Sequence, residues 1–152
     1  MRLRPLTPAD APRCAELEKV LFPGESPWPA HAFEQEIAAG HTTYWAVDMN
    51  VNREGHNDNR EGHNDNRAEV LGYAGVGRMG PAAWPEYEIH TIGVDPAAQR
   101  RGIARLMMDA IVELADSHDA PIFLEVRVGN DPAIRLYEAY DFVINGLRRN
   151  YY

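Results

Sequence analysis

Residues 92–104 read Ile-Gly-Val-Asp-Pro-Ala-Ala-Gln-Arg-Arg-Gly-Ile-Ala. An apolar strand ends within this segment, a short turn follows, and a long helix begins beside glycine and arginine. Because a helix N-terminus offers unpaired N–H donors and a partial positive charge, the junction favours an anionic ligand. It lacks the Gly-Lys-Ser/Thr of a Walker loop and the three glycines of a dinucleotide fingerprint, so we infer a diphosphate ligand other than ATP or NAD. The alternative is an ordinary helix start with solvated arginines.

The patterns on both sides of this junction predict a mixed α/β domain around one sheet. Amphipathic spacing and capping residues predict helices between residues 7 and 22, between 29 and 40, over 100–118 and over 133–140. Runs that include β-branched and aromatic residues predict strands over 44–47, 70–76, 87–94, 122–128 and 142–147.

A polar segment between the first two predicted strands contains a tandem repeat. The seven residues Arg-Glu-Gly-His-Asn-Asp-Asn at 53–59 recur at once at 60–66, and neither copy has a side chain suited to a core. The blocks of His and Asp allow a metal site as an alternative, but loops tolerate insertions at little cost. We therefore predict a solvated hairpin loop at about residues 50–68 and no metal.

Composition and charge exclude several classes of protein. The chain has 152 residues, with 15 Lys and Arg against 23 Asp and Glu, and a formal net charge of −8. This length suits one domain over 1–152, and the acidic balance argues against general binding to nucleic acid. We expect no membrane contact, because no apolar run approaches the ~20 residues that span a bilayer and the N-terminus does not read as a secretory signal. With Cys14 as the single cysteine, we predict a cytoplasmic protein without a disulfide framework.

Several motifs resemble those of one enzyme family. Residues 99–104, Gln-Arg-Arg-Gly-Ile-Ala, match the pattern Gln/Arg-x-x-Gly-x-Gly/Ala of the acyl-CoA pyrophosphate loop in GNAT N-acetyltransferases. Leu-Glu-Val-Arg at 124–127 with Asn130, Leu-Tyr-Glu at 136–138 and Arg-Arg-Asn-Tyr-Tyr at 148–152 are similar to the bacterial ribosomal-protein-alanine N-acetyltransferases of the RimI type. The resemblance covers nearly the whole chain apart from the repeated loop.

The resemblance implies an α/β (α+β) GNAT fold, with a central mixed, mostly antiparallel sheet flanked by about four helices. In this family a further strand normally follows the Arg-Arg-x-Tyr-Tyr segment, and the chain stops at Tyr152. We therefore expect the last strand to be missing, which would leave an unpaired sheet edge near the peptide groove.

The resemblance also implies acetyl-CoA as the acetyl donor and direct attack within a ternary complex. Glu125 would be the general base for the acceptor amine, directly or through a water, and Tyr137 the general acid for the departing thiolate. The backbone N–H around Val94 would stabilise the oxyanion. Two other interpretations stay open: Glu125 as an exposed strand glutamate paired with Arg127 or another arginine, and Tyr137 as part of the buried stripe of its helix.

The implied acetyl-CoA contacts lie on one strand, the loop and helix that follow it, and one later position: Ile92, Gly93, Val94, Gln99, Arg100, Arg101, Gly102, Ile103, Ala104, Arg105 and Asn130. Asn130 fits nearly as well as a helix-capping residue. Trp28 and Glu88 are expected in the acceptor groove. His90, on the same strand as Glu88, is interpreted as a structural histidine.

The implied function is acetyl transfer to the N-terminus of a protein substrate, and the expected acceptor is the N-terminal alanine of a small-subunit ribosomal protein. We expect a monomer. The alternatives are an acetyltransferase for lysine side chains or small amines, and a CoA-binding module without catalysis. The joint presence of Glu125 and Tyr137 weighs against the non-catalytic module.

Overall fold

The computed structural model describes residues 1–24, 26–49, 69–124 and 131–142. In these ranges the strands are β1 (Arg2–Pro5), β2 (Thr42–Asp48), β3 (Val70–Met79), β4 (Glu86–Val94) and β5 (Ile122–Phe123). The helices are α1 (Ala11–Leu21), α2 (Ala30–Ala38), α3 (Ile103–Asp116) and α4 (Asp131–Ala139), with 3-10 turns at Pro8–Asp10 and Pro96–Ala98. None of these helices is long and apolar enough to cross a membrane.

The five strands form one sheet in the order β1-β2-β3-β4-β5. Neighbouring strands are antiparallel except for β4 and β5, which run parallel. Gly75 faces Thr91 and Val76 faces Ile89, so β4 carries one extra residue, His90, and forms a β-bulge there. The mixed, mostly antiparallel sheet with four helices agrees with the predicted fold class.

The sheet separates two hydrophobic cores. On one face α1 and α2 cover a cluster that includes Cys14, Leu17, Phe33, Tyr44 and Tyr73. On the other face α3 and α4 cover a cluster that includes Ile103, Met107, Ile111, Leu124 and Tyr137. The close approach of α3 requires glycine at position 72, because a Cβ there would lie 2.6 Å from Ile103 Cγ2. β4 therefore lies between the two cores, and the loop that follows β4 leads into the start of α3.

Most predicted elements in the described ranges are confirmed, with two differences. The predicted helix start at Arg100 is wrong: Arg100 and Gly102 have positive φ, which a right-handed helix excludes, and α3 begins at Ile103. β1 is not predicted, and the structure shows it paired with β2. Residues 143–147 of the last predicted strand, residues 125–128 of the strand before it and the repeated loop lie outside the described residues, so the single domain over 1–152 stays a prediction.

β1 is anchored by arginines that meet buried carboxylates. Arg4 donates to Asp10 through both terminal nitrogens at 2.9 and 3.0 Å, and its Nε donates to Asp48 at 2.7 Å. Arg2 also contacts Asp48, at 3.2 Å, from a more exposed position. Burial raises the pKa of Asp10, but the hydrogen bonds from Arg4 and Thr7 outweigh it and hold that pKa below its ordinary value. Arg4 is therefore the residue that contributes most to holding β1 in place.

Replacing Arg4 by methionine is expected to destabilise the fold by about 3–5 kcal/mol, because it removes the hydrogen bonds that Arg4 donates to the buried carboxylates of Asp10 and Asp48. Arg2→Met is the matched control, and since Arg2 is partly exposed we expect a loss of only about 0–1 kcal/mol. Urea unfolding at neutral pH measures both. Because Asp10 has a lowered pKa in the folded state, the stability that Arg4 contributes is lost as the pH falls through that pKa. If Arg4→Met and Arg2→Met lower the free energy of unfolding equally, Arg4 does not have the larger role assigned to it.

Candidate active site

The loop before α3 leaves a helix N-terminus open. Arg100 and Gly102 have φ values of 67° and 86°, in the left-handed region that favours glycine. Nothing lies within 4 Å of the place where a Cβ on Gly102 would stand, and residues 99–102 are exposed. The first N–H groups of α3 have no partner within the helix and lie at the positive end of its dipole. This open loop with its arginines fits a diphosphate.

The edge of β4 that faces β5 is mostly unpaired in the described ranges. There β4 pairs with β5 only at Tyr87 and Glu88, whereas its opposite edge pairs with β3 as far as Val94. Gly93 is required for close packing, because a Cβ there would lie 2.6 Å from the Tyr73 hydroxyl. An edge of this kind can hydrogen-bond to an extended ligand as an added strand does. Ile92, Gly93 and Val94 all lie on it.

The other predicted acetyl-CoA residues differ in their surroundings. Gln99 donates to the Val94 carbonyl at 3.4 Å and so bridges the strand and the loop. The Ile103 side chain is buried in the core, which leaves only its backbone N–H for a ligand, and Ala104 is half-buried. The Arg105 guanidinium lies 5.6 Å from the ring centre of Tyr140, so it connects α3 to α4. Arg101 is exposed in the loop, and Asn130 lies outside the described residues.

Tyr137 is a residue of α4, and its side chain belongs to the core between the sheet and the helices α3 and α4. It is 5% exposed, and its ring centre stands 5.7 Å from that of Phe142. It belongs to the same core cluster as Leu124, the residue before Glu125, although Glu125 itself lies outside the described residues. Burial raises the pKa of Tyr137 to about 12, so its phenol is protonated at neutral pH. That is the state a general acid needs.

A polar cluster lies between α2 and the bulge of β4. Glu36 Oε1 accepts a hydrogen bond from the Tyr44 hydroxyl at 2.6 Å and lies 2.8 Å from His90 Nδ1. His90 Nε2 lies 3.7 Å from Glu88 Oε1. Gly77 makes room for the imidazole, because a Cβ there would lie 2.6 Å from the ring. The predicted acceptor residue Glu88 is therefore brought together with Glu36 and His90.

Trp28 belongs to a second polar network, centred on the buried carboxylate of Glu18. Glu18 accepts hydrogen bonds from the Tyr73 hydroxyl at 2.8 Å, the Thr91 hydroxyl at 3.0 Å and the Trp28 backbone N–H at 3.2 Å. The Trp28 ring packs against Phe33, with ring centres 5.2 Å apart. Through these hydrogen bonds, Glu18 connects the segment between α1 and α2 to β4.

Glu18 and Glu36 are absent from the predicted site, yet both carry a recognisable signal. Glu18 falls four residues after Cys14, on the apolar stripe of α1, where an acidic side chain is out of place. Glu36 lies three residues after Phe33 on the buried side of α2. An acidic residue on an apolar helix stripe indicates a partnered buried carboxylate. No group of His, Cys, Asp and Glu that could hold a metal ion occurs in the described part of the chain.

Comparison with known proteins assigns the fold and the reaction class. Residues 12–142 match the acetyltransferase (GNAT) family. The chain is 44% identical over 147 residues to the N-alpha-acetyltransferase RimI of Mycobacterium tuberculosis, an alignment that covers 97% of this chain and 81% of that one. It is 41% identical over 68 residues to the [ribosomal protein bS18]-alanine N-acetyltransferase of Escherichia coli K12, which is 44% of this chain and 46% of that one.

The fold agrees with solved structures. The crystal structure of Arabidopsis thaliana NAA60 in complex with acetyl-CoA superimposes with a TM-score of 0.70 at 20% identity, over 98% of this chain and 93% of that one. The family match and the identity to the mycobacterial relative extend over almost the whole chain. The chain therefore belongs to the acetyltransferase (GNAT) family and is an N-acetyltransferase whose acetyl donor is acetyl-CoA.

Proposed function

We propose that this enzyme acetylates the N-terminal amine of a protein, with alanine of a ribosomal protein of the bS18 type as the preferred acceptor. The observation that carries the proposal is the edge of β4, which joins the open loop before α3 at one end to an acidic cluster at the other. The loop suits an anionic donor, and the carboxylates of Glu36 and Glu88 suit a cationic acceptor. The identity to the mycobacterial N-alpha-acetyltransferase supports the same acceptor class.

Acetyl-CoA would be held at the open loop and along β4. The backbone of residues 100–104 would bind the pyrophosphate, with Arg100 and Arg101 adding charge-assisted hydrogen bonds. The backbone of residues 92–94 would pair with the pantetheine arm. Gln99, Arg105 and Asn130 complete the proposed contacts. When bound, acetyl-CoA supplies the activated acetyl group as a thioester.

The proposed chemistry uses one base and one acid. Glu125 accepts a proton from the acceptor amine as the new N–C bond forms, and Tyr137 donates a proton to the departing thiolate. The backbone N–H around Val94 stabilises the developing oxyanion. Because burial raises the pKa of Tyr137 to about 12, the phenol holds its proton at neutral pH. Trp28 and Glu88 would contact the N-terminal residue of the substrate.

The partner implied by this function is a free protein N-terminus. We expect the enzyme to make no direct contact with nucleic acid or with a membrane. The net charge of −8 disfavours a polyanionic partner. We propose that the enzyme works as a monomer in the cytoplasm, where newly made ribosomal proteins present their N-termini.

The experiment that tests this function is a kinetic comparison of peptides that differ only in the first residue, with acetyl-CoA as donor. A peptide that begins with alanine is expected to have the highest kcat/KM. The same peptide with a blocked N-terminus and an internal lysine is the control, and we expect no turnover for it. Preferential turnover of the blocked peptide would instead assign the enzyme to lysine acetylation.

The arginines of the loop provide a prediction about acetyl-CoA affinity. Replacing Arg100 and Arg101 together by glutamine removes two charge-assisted hydrogen bonds, and the expected effect is a rise in Kd of about 10- to 100-fold. The variant should also show a weaker dependence of Kd on salt concentration. Isothermal titration calorimetry measures both quantities. Arg135→Gln, on the exposed side of α4, is the control, and a similar rise in Kd for this variant would contradict the assignment.

A further inference from the structure

The imidazole of His90 is oriented by a carboxylate that the proposed chemistry does not use. Glu36 Oε1 is 2.8 Å from His90 Nδ1 and also accepts the Tyr44 hydroxyl. Partial burial raises the pKa of Glu36, but the hydrogen bonds from Tyr44 and His90 outweigh it and hold that pKa below its ordinary value. Glu36 is therefore ionised at neutral pH and can only accept hydrogen bonds. Nδ1 of His90 must carry the proton, which leaves Nε2 with a free lone pair when the ring is neutral.

The surroundings of Nε2 leave this lone pair available. The nearest carboxylate oxygen described for it is Oε1 of Glu88, at 3.7 Å, which is too far for a hydrogen bond. The His90 side chain is 22% exposed, so a small group can reach it. Glu88 is close enough to stabilise a positive charge on the imidazole. A histidine with one nitrogen fixed by a carboxylate and the other free has the arrangement of a general base.

The position of His90 connects it to the transfer site. It is the bulged residue of β4, just beyond the last residue of β4 that pairs with β5 in the described ranges. From there this edge of β4 runs to Val94, about 13 Å away at the usual rise of ~3.3 Å per residue. The open loop before α3 follows. His90 thus lies at the end of the edge opposite the diphosphate loop, on the face covered by α1 and α2.

We propose that His90, oriented by Glu36, takes the first proton from the acceptor. This inference rests on the proposed acetylation of an amine and says how that amine becomes nucleophilic. An N-terminal amine has a pKa near 8, so about nine-tenths of it is ammonium at pH 7. One N–H bond of the ammonium breaks, its electron pair stays on nitrogen, and the proton moves to His90 Nε2 and then to solvent.

The remaining steps balance without another reactant. The neutral amine attacks the thioester carbonyl, an N–C bond forms, and nitrogen gives up its second proton. The C–S bond breaks with its electron pair on sulfur, and a proton ends on the CoA thiolate. Ammonium and acetyl-CoA therefore give amide, CoA thiol and one proton released through His90. Glu125 and Tyr137 act on the second proton, and His90 acts on the first.

The titratable and charged groups around His90 come from several neighbouring elements. Glu36 approaches from α2, Tyr44 from β2 and Glu88 from β4. From α1, Glu18 accepts a hydrogen bond from Thr91, the residue after His90. His41 acts electrostatically on Glu36.

The test is the pH dependence of kcat/KM for His90→Gln. Without the base, the variant can use only the acceptor amine that is already neutral in solution. We therefore expect kcat/KM to fall about ten-fold at pH 7, because this is the ratio of total to neutral amine for a pKa near 8. The loss should disappear at about pH 9.5, where the amine is already neutral. A loss that is the same at every pH would indicate a structural role and overturn the proposal. His118→Gln, an exposed histidine after α3, is the control and should match the wild type throughout.

A second measurement does not depend on activity. The ¹⁵N NMR spectrum of the histidine side chains of the whole protein is expected to show His90 with its proton on Nδ1 and a free Nε2. Glu36→Gln should remove that preference, whereas Glu34→Gln, on the exposed side of α2, should keep it. A His90 ring protonated only on Nε2 in the wild type would overturn the proposal. Because this spectrum needs no substrate, it separates a wrong role for His90 from a wrong acceptor.

Discussion

Glu125→Gln is expected to lower kcat by about 10²–10⁴-fold, the usual contribution of a general base. Glutamine has nearly the same shape as glutamate but cannot take the proton that the amine loses as the N–C bond forms. Since the proposed acetyl-CoA contacts lie elsewhere, the Kd for acetyl-CoA should stay within about two-fold of the wild type. Steady-state kinetics with an alanine-starting peptide, together with calorimetry, measure both quantities.

The matched control for this variant is Glu113→Gln. Glu113 is exposed on α3, so the substitution removes the same charge without reaching the β4 edge. We expect wild-type kcat and KM for the control. If Glu125→Gln retains full turnover, Glu125 is not the base. A large loss of acetyl-CoA binding would instead assign it a structural role.

Tyr137→Phe is expected to lower kcat by about 10²-fold, because the thiolate then departs without a proton donor. The phenylalanine ring can keep the packing of Tyr137 against Phe142, so the fold should survive. The control is Tyr140→Phe, which removes the phenol of the residue just after α4, a phenol that donates to Asp109 at 2.7 Å. The control should retain the wild-type kcat, and equal losses for both variants would contradict the assignment of Tyr137.

The pH profile gives a second test of Tyr137. Since burial raises its pKa to about 12, the phenol stays protonated throughout the range in which the protein can be assayed. We therefore expect no loss of wild-type kcat on the alkaline side up to about pH 10 from ionisation of this group. A fall in kcat with a midpoint near pH 9 that disappears in Tyr137→Phe would show that the phenol titrates much lower.

Local signals explain why the α3 junction could be predicted from the sequence. The end of an apolar strand, a glycine and several arginines all lie within residues 92–105, and the anion-binding property of a helix N-terminus depends only on that local order. The apolar stripes of α3 and α4 are equally local. The predicted start of α3 at Arg100 is wrong because Arg100 has a positive φ, and the spacing of apolar residues does not reveal backbone angles.

β1 and the contact between Glu36 and His90 could not be predicted from the sequence, because both depend on residues that are far apart along the chain. β1 has a single strongly apolar side chain, Leu3, and is fixed by the pairing of Arg2 and Arg4 with Asp48, more than 40 residues away. Glu36 and His90 lie 54 residues apart, and their contact depends on how α2 packs against the sheet. The bulge of β4 at His90 depends equally on distant residues. A bulge is a property of two paired strands, so the sequence of β4 alone does not reveal it.

The acceptor that we propose for the acetyl group is the N-terminus of a protein. Tandem mass spectrometry of the product answers this directly, with acetyl-CoA and a peptide that begins with alanine and carries an internal lysine. We predict a single acetyl group on the α-amine of the alanine, formed by the wild type and at a strongly reduced rate by Glu125→Gln. An acetyl group on the lysine ε-amine, with the N-terminus left free, would contradict the account.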